Sequence, residues 1–308
     1  MSANVETMMY VREKPWHGLG KMVTEAPTSA DALRFAGLDW HVSQQPVYNS
    51  CGGVIAGYKA NVRDTDGSIL GIVGDRYKVV QNTDAFNFTD NLIGGEVRYE
   101  TAGSLREGRQ IWLLAKMPAR KVAGDAVEPY LCFTNAHDGS SGVKVCMTPI
   151  RVVCNNTLNM ALSSAKRVWS MRHTESVHDR LDEARNCLLH ANKYMDALTD
   201  YAETAAYKPL RDAELKDILD EMFPVSEQTT EREKNKVKKI KTEFMVCYFA
   251  PDIYKFRGTA WGAINAMSDL VTHNMPHRNT KNYAANNWNR IMDGHALIDK
   301  MAKLCMER

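Results

Sequence analysis

The sequence contains no run of about eighteen apolar residues, the length a membrane-spanning helix needs, and MSANVETMMYVREKPWHGLG at its start has no signal-peptide core. Membrane spanning and secretion are not expected, and the chain reads as cytoplasmic. Cysteine is sparse and unpatterned, with seven residues, an odd number, and no CxxC spacing. This argues against both a disulfide framework and a thiolate zinc site. An excess of one charge is also missing, because 39 basic side chains meet 37 acidic ones for a net charge of +2. Global charge therefore makes no case for a polyanionic partner, and any basic footprint must be local. Gly52-Gly53 and Gly94-Gly95 lack both the Lys-Ser/Thr ending of a P-loop and the GxGxxG spacing of a dinucleotide fold. ATP-driven chemistry is not supported, and no cofactor is expected.

What is present is the material of a folded core: 308 residues, 44% hydrophobic and 25% charged. Thr28 or Ser29 can cap a short helix that Gly37 stops. Strand patterns follow at Val42–Tyr48 and Val54–Val62, and Asp64-Thr65-Asp66-Gly67 turns the chain into Ser68–Val73. Asn82 or Thr83 caps a second short helix through Ile93. Two further hairpins are expected, Val97–Leu105 with Gln110–Lys116, and the strands that bracket His137–Gly142.

After Arg172 the period changes. Val177, Leu181, Ala184, Leu188, Ala191, Met195, Leu198 and Ala202 alternate steps of four and three, which predicts one long amphipathic helix over 174–207 with a heptad seam. More helices are expected at Arg211–Phe223, Ser226–Phe249, Thr259–Val271 and Ala284–Met306. Strands first and helices after, without βαβ alternation, predict an α+β fold: a largely antiparallel sheet of hairpins with short helices, then the long helix and a helical C-terminal third. The expected organisation is an N-terminal arm (1–27, carrying Trp16-His17-Gly18), a core domain (28–207) and a helical region (208–308).

Chemistry is weighed most easily at Leu131–Leu162, LCFTNAHDGSSGVKVCMTPIRVVCNNTLNMAL. His137 and Asp138 are the weak catalytic candidates, although HDGSSG also has the composition of a plain turn. His173 with His178 and His273 with His277 could be metal pairs, but neither has the three or four converging ligands that zinc requires, and no metal site is expected. Cys132, Cys146 and Cys154 lie in apolar runs, where burial makes thiols inert.

Basic residues beside aromatics make a stronger pattern, since a single-strand-binding surface neutralises phosphates and stacks bases. Arg76 and Lys78 flank Tyr77, Lys144 and Arg151 lie on one strand, and Lys166, Arg167 and Arg172 surround Trp169. No acidic residue occurs between Arg151 and Glu175. Asn155, Asn156 and Thr157 suit a helix start, where backbone N–H groups hold anions. A second basic patch, Lys234, Lys238, Lys239 and Lys241, sits on a predicted helix, as a solvated face or as an electrostatic contact.

Several long motifs point to a family: PWHGLG, LGIVGDRYKVVQN (Leu70–Asn82), ETAGSLREGRQIWLLAKMP (Glu100–Pro118), the HDGSSG to CNNTL segment, Arg172-His173-Thr174 and GTAWGAINAMSDLVTH (Gly258–His273). On these residues the chain resembles the phage/plasmid-like protein family, a domain of unknown function found in prophages, phages and plasmids. The segment NMPHRNTKNYAANNWN departs from the family pattern. In plan the chain is also weakly similar to phage single-strand annealing proteins. The family resemblance implies a mobile-element context in a bacterial cytoplasm. The basic and aromatic pattern together with the likeness in plan leads to the expectation that the protein binds single-stranded DNA and promotes annealing without ATP, as a ring or filament of identical subunits. The alternatives are a phage-encoded interaction protein with a host partner, acting through the helical third and the lysine-rich helix, and a metal-dependent nucleic-acid hydrolase using His137 and Asp138.

Overall fold

Most of the apolar strand segments fall in one compact unit and most of the period-3.6 segments in another. The computed structural model describes residues 5–11, 20–23, 28–86, 98–151, 156–157, 160, 162, 167–174, 187–276 and 294–308, with backbone only at 5, 98, 150–151, 156–157 and 187–189. The fold is α+β, with antiparallel sheets and most helices in the C-terminal half. Two compact units divide the chain: 1–118, 130–147 and 168–190 in the first, 119–129, 148–167 and 191–308 in the second.

In the first unit a sheet runs in the order β12 (Val168–Met171), β10 (Val143–Arg151), β9 (Asp125–Ala136), β7 (Gln110–Lys116), β6 (Arg98–Leu105), β1 (Val5–Val11) and β2 (Lys21–Val23). Of these neighbours β12 with β10, β9 with β7, β7 with β6 and β6 with β1 pair antiparallel, and β1 with β2 pairs parallel. Central strands β7 and β9 are buried along nearly their whole length, as their continuous apolar runs require. The core gathers Met9, Leu38, Trp40, Phe86, Ile111, Leu113, Phe133, Val143 and Val145, on which helix α1 (Ser29–Phe35) sets Ala32. Thr28 is the cap of α1, its Oγ1 accepting from Asp31 N at 3.3 Å. Gly37 ends it at φ +66°, a conformation that favours glycine.

A second, three-stranded sheet, β3 (Val42–Tyr48), β4 (Val54–Arg63) and β5 (Ile69–Gly74), belongs to the same unit. Asn61, Leu70 and Val73 are buried, while Tyr58, Ile69 and Ile72 stand more than half exposed.

In the second unit β8 (Arg120–Val122) pairs with residues 125–127 of β9, and β11 (Asn156–Thr157) pairs antiparallel with Ile150 and Arg151. The expected helix start at Asn155–Thr157 is thus corrected: Asn156 and Thr157 are strand residues, because the Asn/Thr composition that caps helices serves chain reversals equally well. Asn155 lies outside the described residues, as do Lys166, Trp16–Leu19 and most of the 174–186 part of the predicted long helix.

Helix α2 (Cys187–Tyr207) buries Ala191, Tyr194, Met195, Leu198, Ala202 and Ala205. The described part of the heptad seam is therefore buried. Helices α3 (Asp212–Met222), α4 (Glu231–Tyr248), α5 (Ala260–Asp269) and α6 (Ala296–Glu307) follow. Thr230 and Glu233 form a reciprocal capping box on α4. Nine of the ten residues of α5 are buried, which explains GTAWGAINAM as packing: a Cβ on Gly262 would lie 2.3 Å from Phe256 O. Asp125 pairs with Lys255, and Arg120 with Asp196, inside this unit. Among the described residues no helix is long and apolar enough to cross a membrane.

Candidate functional site

The turn joining β9 to β10 is held from several sides in the first unit. Asn61 Nδ2 donates to His137 O at 2.6 Å, and Tyr77 Oη donates to Ala136 O at 2.7 Å. Asn135 Nδ2 donates to Val80 O at 2.9 Å, and His137 N to Arg109 O at 2.7 Å. Asp138 Oδ1 accepts from Ser140 N at 2.9 Å, a local bond that shapes the turn. Gly71 brings β5 so near that a Cβ there would sit 2.5 Å from Asp138 Cα. Net gains of about 1 kcal/mol for each buried bond make the turn a fixed element.

Two histidines are locked behind it. His137 is fully buried, edge-on to Trp40 at 5.3 Å, with Nε2 3.0 Å from Asn82 Oδ1. Asn82 Nδ2 is already donating to Leu38 O and Trp40 O, so its Oδ1 can only accept, and His137 carries its proton on Nε2. Burial, then the neighbouring His173 and Arg63, push the His137 pKa down to about 3. His173 Nδ1 lies 3.0 Å from Lys78 O, an acceptor, so Nδ1 holds the proton there and Nε2 is a bare lone pair. Burial lowers this pKa also, against the bond to Lys78. His173 O in turn accepts from Lys78 N at 3.2 Å, and its ring stacks on Tyr77 at 4.3 Å and 16°. Both imidazoles are neutral near pH 7, and neither His137 Nδ1 nor His173 Nε2 has a hydrogen-bond partner among the described residues.

In front of His173 lies a concavity of about 830 Å³ lined by Gly74, Arg76, Tyr77, Gly139, Ser141, Gly142, Arg172, His173 and Thr174. The size is within the usual range for ligand sites, about 300–1,000 Å³. Arg76 and Arg172 are exposed, and no ion pair engages either among the described residues. The two guanidiniums, the hydroxyls of Ser141 and Thr174 and several glycines make a wall suited to an anionic, hydroxylated ligand.

The structure thus brings Arg76, Tyr77 and Arg172 together with the HDGSSG turn, two features that were separate in sequence. It does not leave Tyr77 as a stacking platform, because the side chain is only 9% exposed and a ring face is covered by His173. Lys78 is half-buried behind the wall. Lys144 faces Ser170 across the β10–β12 pair, and Trp169 faces Val145 and the core, so the two project to opposite sides of the sheet. Trp169 also approaches His190 at 6.0 Å. Arg167 is 7% exposed in the second unit near Tyr194, a buried position closed to a solvent-borne phosphate. The side chains of Arg151, Asn156 and Thr157 lie outside the described residues.

For the hydrolase reading, His137 is an internal tie with no solvent exposure, and Asp138 is occupied in its turn. No group of three or more His, Cys, Asp or Glu side chains that could hold a metal ion occurs among the described residues. The lysine-rich patch is partly satisfied, with Lys234 Nζ 2.8 Å from Glu231 and Lys241 Nζ 2.6 Å from Asp220. Lys238 and Lys239 are exposed. Lys234, Lys238 and Lys241 line a groove of about 460 Å³ with Val225, Val237, Thr242 and Met245. His173, Ser141 and Asn82 are the residues sequence reasoning missed in these roles, since nothing local to each signals contacts across more than fifty residues.

Comparison with curated proteins and with solved structures found no match to the chain. Residues 69–292, more than half of the chain and every described residue that lines the concavity, match the family described as domain of unknown function DUF932, and the chain belongs to that family.

Proposed function

We propose that this protein binds single-stranded nucleic acid through the sugar–phosphate backbone, in the concavity of the first unit and without ATP. The observation that carries the reading is the convergence of Arg76 and Arg172, both exposed and without an acidic partner among the described residues, on one concavity of about 830 Å³. Two cations on a wall that also presents the hydroxyls of Ser141 and Thr174 and glycine backbone neutralise adjacent phosphates. In the setting implied by the phage/plasmid-like resemblance, the strand is single-stranded DNA of a mobile element in a bacterial cytoplasm, and the act is annealing during recombination or replication. Assembly into rings or filaments then calls for a self-contact other than the heptad seam, whose described part is buried. The exposed stripe of Tyr58, Ile69 and Ile72 on β4 and β5 supplies an apolar surface for it.

The test is a titration of a labelled single-stranded oligonucleotide against salt. Binding at low salt is expected, with Arg76→Ala and Arg172→Ala each reducing the slope of log K against log salt by about 0.7, the value for one lost contact on a single strand. No binding at low salt, or binding with no salt slope, defeats the proposal.

A second reading is favoured by the groove on α4. Exposed lysines beside Val225, Val237 and Met245 suit a protein segment that carries both acidic and apolar side chains, such as a host partner. A partner retained from lysate after nuclease treatment and lost on Lys238→Glu supports it. A partner lost with the nucleic acid argues for strand binding instead.

A further inference from the structure

Exposed aromatic side chains gather in one short stretch of the second unit. The chain leaves α4 at Phe249 and makes a 3-10 turn, Tyr254–Phe256, before Arg257 and Gly258. Ile253 and Phe256 anchor that turn in the interior, while Tyr254 stands 68% exposed and Phe249 48%. The Arg257 guanidinium lies over the Phe249 ring, 4.0 Å from its centroid, and Tyr248 meets the same ring edge-on at 5.8 Å and 79°. Tyr248 Oη accepts from Gly258 N at 2.8 Å, which ties the end of α4 to the residue after Arg257. The stack is thus held from two segments. A Cβ on Gly258 would meet no atom within 4 Å, so the surface beside Arg257 is open.

The spacing of these groups suits a planar ligand. Arg257 N donates to Tyr254 O at 3.2 Å, which closes one 3-10 turn, and residues three apart in such a turn eclipse one another. Tyr254 and Arg257 therefore leave the backbone on the same side, with origins about 6 Å apart after three rises of about 2.0 Å. That is close to twice the ~3.4 Å repeat of successive nucleotides, the separation that admits one base between two planes. Charge points to the same ligand. Arg257 is exposed, and no ion pair engages it among the described residues, whereas the adjacent Lys255 is taken by Asp125. A guanidinium flat on an aromatic ring offers its plane to a base and its charge to the neighbouring phosphate. Resting on the proposed binding of single-stranded nucleic acid, we infer that Tyr254 and the Arg257–Phe249 stack form a base-stacking site in the second unit, separate from the phosphate-binding concavity of the first. Every base has a π face, so the site takes unpaired bases without reading their sequence.

Two labelled single strands of equal length and charge, oligothymidylate and an abasic tetrahydrofuran–phosphate strand, separate base from backbone when titrated against the full chain. The stacking site binds the thymine strand about tenfold more tightly than the abasic one, the size expected for stacking one base. Tyr254→Ala, which deletes an exposed ring, and Arg257→Lys, which keeps the charge and deletes the plane, each remove most of that advantage, and Tyr254→Phe keeps it. Irradiating a 5-iodouracil strand bound to the wild-type protein adds a readout that needs no variant, a crosslink to the peptide carrying Tyr254. Equal binding of the two strands with an intact salt slope, or a thymine advantage unchanged in both Tyr254→Ala and Arg257→Lys, overturns the inference and leaves strand binding in place. A missing thymine advantage together with a protein that is retained from nuclease-treated lysate and lost on Tyr254→Ala assigns the patch to a protein partner, and overturns the inference as well. Failure of both strands to bind at low salt overturns the proposed function, and the inference with it.

Discussion

Acid should unfold the first unit through His137, and the size of the effect follows from its burial. An exposed histidine in the unfolded chain titrates near pH 6.5, whereas in the fold the neutral ring is held until about 3. At pH 7 both states are neutral and the shift contributes nothing. As pH falls below about 6.5 the unfolded chain takes up a proton the native state refuses, so stability drops until the native ring also protonates near 3. At pH 5 the unfolded state is favoured by a factor of roughly 30, a loss of about 2 kcal/mol relative to pH 7. His173, lowered in the same direction, adds to the loss.

The perturbation is His137→Gln, whose amide can still donate to Asn82 Oδ1 without a titrating ring. Urea unfolding at pH 7 and pH 5, with samples pulse-labelled by hydrogen exchange at one common pH and read on β6 and β7 peptides, reports the first unit alone. With a slope of about 2 kcal/mol per molar urea, the wild-type midpoint falls by about 1 M more than the variant's. Equal midpoint shifts in the two proteins would refute the assignment of a neutral, buried His137.

Two further expectations are independent of titration. Gly71→Ala and Gly142→Ala place a Cβ 2.5 Å from Asp138 Cα and 2.1 Å from Met171 O, so each should cost about 2–3 kcal/mol or more and weaken oligonucleotide binding. Gly74→Ala, whose nearest foreign atom would be 4.0 Å away, should cost under about 1 kcal/mol, and paired urea melts with binding titrations decide between them. Of the free cysteines Cys51, Cys132, Cys146, Cys247 and Cys305, only Cys51 is exposed, and burial pushes the Cys247 and Cys305 thiols up to about 12. A thiol reagent followed by peptide mass mapping should label Cys51 of these five in the native protein, and the rest only in denaturant.

The reach of the sequence is clearest at particular residues. Alternation and turn chemistry were enough to place the DTDG hairpin, the REGR hairpin and the HDGSSG turn, because a period of two and the residues that allow reversal are properties of adjacent positions. The helix start at Thr28 was marked the same way, by a hydroxyl that can reach the N–H three residues on, whereas the helix expected from Ser226 starts only after the Thr230 cap. Asn156-Thr157 shows the limit of such local reasoning: the same residue types favour a cap and a reversal, and pairing with Ile150 and Arg151 decides between them.

The sequence by itself determined the class of fold, the strands-first order and a supply of unbalanced basic residues around 151–172. Only the tertiary structure decided which of those residues meet. It put Arg167 under cover, turned Lys144 and Trp169 to opposite sides of a sheet, and drew Arg76, Tyr77, Arg172 and His173 from separate segments onto one concavity. It also decided that His137, the most chemical residue of the turn, is a structural tie, and that His173 Nε2 is buried without a hydrogen-bond partner among the described residues. The reason is physical: whether a charge or lone pair is available depends on the solvent and partners around it, and those are set by contacts between residues far apart in the chain.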